Sequence, residues 1–173
     1  ILNDLTETNE VINGSTTVEL KLTTGNTYSV IFWAAAPNAP YSVDFATKTM
    51  TVDYTNAASN DEARDAFYTA YTFTVTGTQT ETIELKRPFA QLNIGTTINP
   101  VDYNKDPYRV ALKNSKVTVK NVPTKFNVAT SAVAGDAEFT FEMEEVIKNE
   151  NLIVNNTEYN YVAMNYMFAG ANR

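Results

Sequence analysis

The chain contains 173 residues, of which 43% are hydrophobic and 12% aromatic, and this length suits one ordinary domain with a buried core. Cysteine and histidine are both absent, which excludes disulfides, zinc fingers, cysteine nucleophiles, Ser-His-Asp triads and histidine-ligated metals. With 20 acidic against 13 basic residues and a net charge of -7, the chain is not expected to bind nucleic acid or an anionic membrane surface, because both attract basic patches.

The first fifteen residues, Ile1–Ser15, place a few apolar side chains among polar neighbours without firm alternation. We expect residues 1–15 to form a flexible or exchangeable N-terminal segment, with an ordinary frayed terminus as the alternative. Residues 16–173 are expected to form a single β-sandwich domain. The longest apolar run, Val30–Ala36, is far shorter than the roughly 20 residues that span a bilayer.

The first half of this domain reads as strands. Thr16–Leu22 alternates between apolar and polar residues, and Tyr28–Ala36 is an apolar run typical of a central strand buried on both faces. Tyr41–Phe45 and Lys48–Tyr54 are predicted to form a hairpin. Its inward-facing residues are Met50, Val52 and Tyr54.

One helical signal follows the hairpin. Ser59, Asn60 or Asp61 can cap a helix, and acidic residues occupy its first turn. Ala63, Ala66, Phe67 and Ala70 supply an apolar stripe at helical spacing. The sequence therefore predicts one short inserted helix near residues 61–69.

The rest of the chain returns to strand-like alternation. The predicted strands are Tyr71–Thr76, Thr80–Lys86, Phe89–Ile94, Tyr108–Leu112, Lys116–Lys120, Lys125–Ala129, Phe139–Val146 and Asn160–Phe168. Frequent asparagines supply turns, since asparagine tolerates left-handed backbone. The pattern predicts an all-β antiparallel sandwich. The residues expected in its core are Phe32, Trp33, Phe67, Phe89, Leu92 and Ile94.

Two groups of acidic residues are candidates for chemistry. Asp102, Asn104 and Asp106 match the start of a calcium loop, but Pro107 replaces its glycine and Lys113 its bidentate glutamate. A solvated turn is the alternative interpretation.

The second group is near the C-terminus, where Glu138, Glu142 and Glu144 would share one strand face, either as a solvent-exposed side or as a weak cation site. Paired carboxylates can hydrolyse glycosides, but spacing along a chain does not give their separation. We expect no enzyme, no catalytic residue, no cofactor and no metal site.

Aromatic and charged side chains permit further hypotheses. Trp33 and the ten tyrosines could form a sugar-binding platform, although the apolar run around Trp33 favours burial. An ion-pair network could join Arg64 and Asp65 to Lys86 and Arg87, with solvated surface charges as the alternative. The sequons that begin at Asn13 and Asn155 are interpreted as turns.

Four stretches of the chain carry a family resemblance. They are Gly25–Ala35, Asn60–Tyr68, Leu85–Gly95 and Tyr161–Phe168. In this order they resemble the N-terminal domain of the fimbrillin-like surface proteins of Bacteroides and related bacteria. The segment Lys-Arg-Pro-Phe-Ala-Gln-Leu-Asn within Leu85–Gly95 is the most specific part.

The resemblance implies a transthyretin-like, Greek-key β-sandwich from a structural or accessory subunit of a cell-surface fimbria. Such subunits reach the outer membrane as lipoproteins, assemble with other subunits by β-strand exchange, and act in adhesion to glycans or proteins of host or bacterial surfaces. This chain lacks the family's lipobox cysteine and stops at Arg173, where the family continues into a second β-sandwich. We therefore expect the N-terminal lobe of a longer protein whose lipid anchor lies outside this sequence. The alternative is a glycan-binding surface lipoprotein module.

Overall fold

The computed structural model describes residues 14–97, 114–143 and 151–169. These residues form strands joined by turns. The strands are β1 (Thr27–Ala35), β2 (Tyr41–Asp44), β3 (Thr49–Val52), β4 (Ala66–Thr74), β5 (Phe89–Thr96), β6 (Ser115–Val122), β7 (Lys125–Asn127), β8 (Ala132–Ala134), β9 (Ala137–Met143), β10 (Asn151–Val154) and β11 (Thr157–Phe168). The predicted all-β fold is confirmed.

The strands pair in antiparallel sheets with the orders β1-β4, β10-β11-β5, β2-β3-β7-β8 and β6-β9. Rings from different sheets meet across one core. Phe126 on β7 stacks on Phe168 of β11 with centroids 5.6 Å apart, and Tyr54, just after β3, stacks on Phe139 of β9 at 4.3 Å. The sheets therefore pack face to face, as in a β-sandwich.

The core is an apolar cluster drawn from most of the strands. Its buried members are Met50, Val52, Tyr54, Ala57, Ala66, Tyr68, Phe89, Val122, Phe126, Val128, Phe139, Phe141, Ala163, Met164, Tyr166 and Phe168. Of the six predicted core residues, Phe89 is buried, and Trp33, Leu92 and Ile94 pack half-buried against this cluster. Phe32 and Phe67 are half-buried outside it. Both face the opposite side of the β1-β4 sheet from Trp33.

The predicted hairpin is confirmed, while the predicted central strand is not. β2 and β3 pair from Tyr41↔Val52 to Asp44↔Thr49, and Met50 and Val52 are buried. β1, in contrast, belongs to a two-stranded sheet in the described part of the chain, and its Ile31 is 38% exposed. An apolar run alone does not distinguish a doubly buried strand from one with a partly exposed face.

The predicted helix near residues 61–69 is wrong in extent. A single 3₁₀ turn covers Glu62–Arg64, with the Asp61 carboxylate accepting from the Ala63 N–H. From Ala66 onward the chain is β4, whose nine residues all pair with β1. In this ladder every residue of β4 has a partner residue on β1. A two-turn helix would leave many of its backbone groups without a hydrogen bond, because its ends are unsatisfied. Within the described residues, no helix has the length and apolar character needed to cross a membrane.

Two segments predicted as strands are extended without a ladder in the described part of the chain. Thr16–Leu22 has alternating exposure, with Val18, Leu20 and Leu22 half-buried. In Thr80–Lys86 the exposure alternates from Thr82 onward, and the segment meets β4 at one isolated bridge, Tyr68↔Lys86. Both segments thus have the side-chain pattern of strands and lack the backbone pairing of strands.

Asparagine supplies most of the left-handed turns. Eight non-glycine residues of the described chain have positive φ, and six of them are asparagine. Asn155 and Asn156, with φ of 49° and 62°, form the two-residue turn between β10 and β11. Two consecutive positive φ values match a type I′ hairpin turn, so the interpretation of this sequon as a turn is confirmed.

Candidate functional site

The acidic candidates that the structure describes do not form a metal site. Asp102, Asn104 and Asp106 lie outside the described residues, as do residues 1–13 of the N-terminal segment and Glu144. Glu142 and Glu138 lie on the exposed face of β9, where they pair with Lys116 at 2.7 Å and Lys120 at 3.0 Å. Among the residues that the structure describes, no group of three or more carboxylates is placed to hold a metal ion.

A clamp formed by residues 58–65 fixes the middle of β11. The Ser59 hydroxyl accepts from the N–H of Met164 at 3.0 Å and donates to its C=O at 3.2 Å. The Asn60 N–H donates to the same C=O at 3.0 Å, and the buried Asn165 amide donates to the C=O of Ala58 at 2.9 Å. These bonds satisfy β11 backbone groups where no strand pairs with that edge in the described chain.

Two carboxylates continue the clamp. Glu62 accepts from the hydroxyl of Tyr166 at 2.8 Å. Asp65 receives Arg87 in a bidentate pair, with Nη2 to Oδ2 at 2.7 Å. The guanidinium of Arg87 also lies over the Phe67 ring, 4.9 Å from its centroid. The predicted network thus contains the Asp65–Arg87 pair.

The other two residues of the predicted network have different roles. The Lys86 ammonium lies over the ring of Tyr68 at 5.4 Å. Arg64 is buried, 3% exposed, and donates through Nη2 to the C=O of Asp53 at 2.8 Å. Its guanidinium also lies 5.6 Å from the centroid of the Tyr54 ring. Arg64 therefore ties the clamp to the segment after β3 and forms no ion pair in the described part of the chain.

The phenols around this clamp resist ionisation. Burial raises the pKa of Tyr54 to about 12. Burial, followed by the hydrogen bond to Glu62, raises the pKa of Tyr166 to about 12. Burial also raises the pKa of Tyr41 far above its usual value; its hydroxyl donates to the C=O of Arg64. These hydroxyls are therefore structural donors at neutral pH and are not poised for acid–base chemistry.

A cleft of about 420 Å³ opens between the segment that follows β3 and the start of β9. Its lining residues are Val52, Asp53, Tyr54, Thr55, Asn56, Thr124, Ala137, Glu138, Phe139 and Thr140. The Asp53 carboxylate accepts from the Thr55 N–H at 2.8 Å, and hydrogen bonds from Thr55 hold the pKa of Asp53 below its usual value. The cleft thus combines a negative charge with walls that are polar and apolar in about equal parts.

Trp33 and Tyr54 do not present open ring faces for a sugar, the alternative considered for the aromatic residues. Trp33 is half-buried and packs edge-on against Tyr41, with centroids 5.4 Å apart. Tyr54 has Phe139 stacked on its ring, and Arg64 also lies over that ring. The burial of Trp33 against the core agrees with the apolar run around it.

Comparison with protein families gives one match, to a family of unknown function, DUF6562, over residues 4–173. The chain belongs to this family. Neither the curated proteins nor the solved structures contain a match. Membership therefore assigns the chain to a group of related sequences and leaves the function to be argued from the residues.

Sequence reasoning missed both the clamp and the cleft. The sequence predicts a helix cap at Ser59, Asn60 or Asp61, and Asp61 does cap the short 3₁₀ turn. Ser59 and Asn60 instead bond to β11, over a hundred residues away. The local signal for a cap and for a long-range clamp is the same, a string of short polar side chains.

Proposed function

We propose that this chain is a structural or accessory subunit of a bacterial cell-surface fimbria, which assembles by β-strand exchange and acts in adhesion. In this proposal the subunit is exported as a lipoprotein, and a lipid anchor outside these residues holds it at the outer membrane. Its partners are other fimbrial subunits and, in adhesion, glycans or proteins on host or bacterial surfaces.

The observation that carries the proposal is the resemblance of four stretches in their order along the chain. The four stretches are packed together in the fold. Gly25–Ala35 pairs with Asn60–Tyr68 from Trp33↔Tyr68 to Ala35↔Ala66, and Leu85–Gly95 pairs with Tyr161–Phe168. Asn60–Tyr68 is joined to Leu85–Gly95 by the Asp65–Arg87 pair and to Tyr161–Phe168 by the hydrogen bond from the Asn60 N–H to the C=O of Met164. If the chain shares its fold with the fimbrillin-like proteins, the stretches that resemble them should pack together, as these do.

A second support is the pair of extended segments without a ladder. Exposure alternates over most of Thr16–Leu22 and from Thr82 to Lys86, so these side chains already occupy strand-like positions. Apart from the bridge between Lys86 and Tyr68, their backbone groups can therefore pair with another chain without first losing a ladder to the described residues. An incoming strand gains hydrogen bonds and buries apolar area, worth about 25 cal/mol per Å².

The test is a denaturing gel of the full-length protein taken from the bacterial surface, loaded with and without boiling. Strand-exchanged polymers should give a ladder in the unboiled sample that collapses to monomer on boiling. A single monomer band in both samples would contradict the stalk-subunit form of the proposal. Binding to a glycan array by such a monomer would favour the glycan-binding module.

A matched pair of proline variants sharpens the test. Thr82→Pro removes an N–H from the middle of Thr80–Lys86, where no ladder exists in the described chain to be lost. Thr78→Pro changes the bend that precedes this segment. If Thr80–Lys86 pairs with a neighbouring subunit, Thr82→Pro should shorten the ladder while Thr78→Pro leaves it intact, with both monomers folded by circular dichroism.

A further inference from the structure

The outer edge of β9 directs backbone groups into the cleft. The N–H of Ser59 donates to the C=O of Glu142 at 3.3 Å, so the backbone of Glu142 points away from β6. In an antiparallel strand the N–H and C=O of a residue point to the same side, and this direction repeats every second residue. Thr140 and Glu138 therefore point their N–H and C=O groups away from β6 as well.

Two further observations support this orientation. The hydroxyls of Thr118 and Thr140 are 2.8 Å apart, as expected for a directly opposed pair without mutual backbone bonds, whose side chains lie closest together. The register shift between β6 and β9 inserts its extra residue in β6, between Val119 and Val122. The alternation along β9 is therefore unbroken from Glu142 to Glu138.

The edge groups of β9 and the segment after β3 line the same cleft. Ser59 closes the edge at Glu142, and the preceding segment, Asp53–Asn56, forms the opposite wall farther along β9. Within the described residues, the N–H and C=O groups of Glu138 and Thr140 have no partner, and both residues are exposed. The cleft is thus a gap beside a stretch of β9 that no described residue pairs with on this side.

The charges around the gap favour a basic occupant. Asp53 lies on one wall of the cleft and Glu138 on the other. Lys120 pairs with Glu138 at 3.0 Å, whereas the hydrogen bonds to Asp53 come from backbone and hydroxyl groups of its own turn. Arg64 is buried behind this wall and also acts on the Asp53 carboxylate, more weakly than the hydrogen bonds of the turn. It forms no ion pair with Asp53, so the exposed negative charge on this wall is only partly compensated by the described residues.

We propose that this cleft binds a short extended segment of a partner protein that carries a lysine or arginine. The segment adds to β9 as an edge strand, bonding to the N–H and C=O groups of Glu138 and Thr140, and its basic side chain lies beside Asp53. The site is separate from the strand exchange proposed above, and neither proposal depends on the other. A saccharide is less suited to it, because the Tyr54 ring at its base is already stacked on Phe139.

Hydrogen exchange of the free protein tests the open edge. The amides of Phe139 and Phe141 face β6 and should exchange slowly, whereas those of Glu138 and Thr140 should exchange quickly. This alternation along one strand is expected only if the edge is open. Equal protection of all four amides would overturn the proposal, because the edge would then be covered.

Peptide titration tests the occupant. The probe is an acetylated and amidated Val-Lys-Val-Lys-Val peptide, followed by ¹⁵N amide shifts. It should perturb the amides of Glu138, Thr140 and Asp53–Asn56 and slow exchange at the first two. Val-Glu-Val-Glu-Val, and the lysine peptide with alternate N-methylated peptide bonds, should bind at least severalfold more weakly. Equal binding of the acidic peptide, no binding of the lysine peptide, or shifts with a neutral oligosaccharide alone would each overturn the proposal.

Three variants separate charge from backbone pairing. Asp53→Asn keeps an oxygen that can accept from Thr55 and should weaken the lysine peptide about threefold, the ratio for an exposed ion pair. Thr140→Pro removes an outward N–H without removing a bond to β6 and should abolish binding. Thr118→Pro is the control, because it also removes the contact between the Thr118 and Thr140 hydroxyls but changes β6, outside the cleft. It should bind the peptide as the wild type does. Loss of binding in Thr118→Pro alone would place the peptide on β6 and overturn the assignment.

Discussion

Replacement of Ser59 by alanine removes both hydrogen bonds between its hydroxyl and the backbone of Met164, at 3.0 and 3.2 Å. Met164 is 2% exposed, so water does not reach the N–H that loses its acceptor. The C=O of Met164 keeps the N–H of Asn60 as a donor at 3.0 Å. An unpaired buried donor costs about 1–3 kcal/mol. We therefore expect Ser59→Ala to lower the free energy of unfolding by about 2 kcal/mol.

The assay is urea unfolding followed by circular dichroism and by the fluorescence of Trp33, the single tryptophan. For a chain of this size, 2 kcal/mol corresponds to a fall in Tm of about 4–8 °C. Ser29→Ala is the matched control, because its hydroxyl meets that of Thr72 at 2.9 Å on an exposed face, and we expect a loss under about 0.5 kcal/mol. Equal unfolding free energies for the two variants would refute the clamp.

Three other changes probe the fold. Gly95→Ala places a Cβ 2.7 Å from the Cβ of Tyr159 and should cost about 1–3 kcal/mol in thermal unfolding. Gly77→Ala, with open space around it, should have no such cost, and equal effects of the two variants would contradict the close approach. The pKa of Tyr54 rises from 10.0 to about 12, so the folded protein keeps a proton that the unfolded chain loses, and stability should fall as pH rises from about 10 to about 12. In Tyr54→Phe this slope, measured by urea unfolding across that range, should be shallower; an unchanged slope would exclude Tyr54 as its source. Arg87→Gln breaks the pair with Asp65, but because the arginine side chain is 52% exposed, the free energy of unfolding should fall by only about 0.5 kcal/mol. This loss should be smaller in high salt. A loss that does not change with salt would instead indicate that Arg87 stabilises the fold by packing on the Phe67 ring.

The elements that sequence alone predicted are those with a local cause. The β2–β3 hairpin follows from two alternating runs and the turn between them. The buried face of β11, with Met164, Tyr166 and Phe168, follows from the alternation of apolar residues along one strand. The turn at Asn155 follows from the tolerance of asparagine for positive φ. In each case the residues that decide the structure lie within a few positions of one another.

Residues 66–70 show where local patterning fails. Ala66, Phe67 and Ala70 fit an apolar helical stripe, and the same residues fit a strand whose faces alternate. The choice was made by β1, more than thirty positions upstream, which pairs with all nine residues of β4. A strand is stabilised by its partner, so the ladder overrides a short and marginal helix.

The sequence by itself determined that this is an all-β protein without histidine or cysteine chemistry, because composition and alternation are properties of the chain. Only the tertiary structure decided that Ser59 bonds to Met164, that Arg64 is buried beside Asp53, and that the edge of β9 borders a cleft. The physical reason is that strand edges and buried polar contacts depend on which distant segments meet. No local propensity encodes that choice.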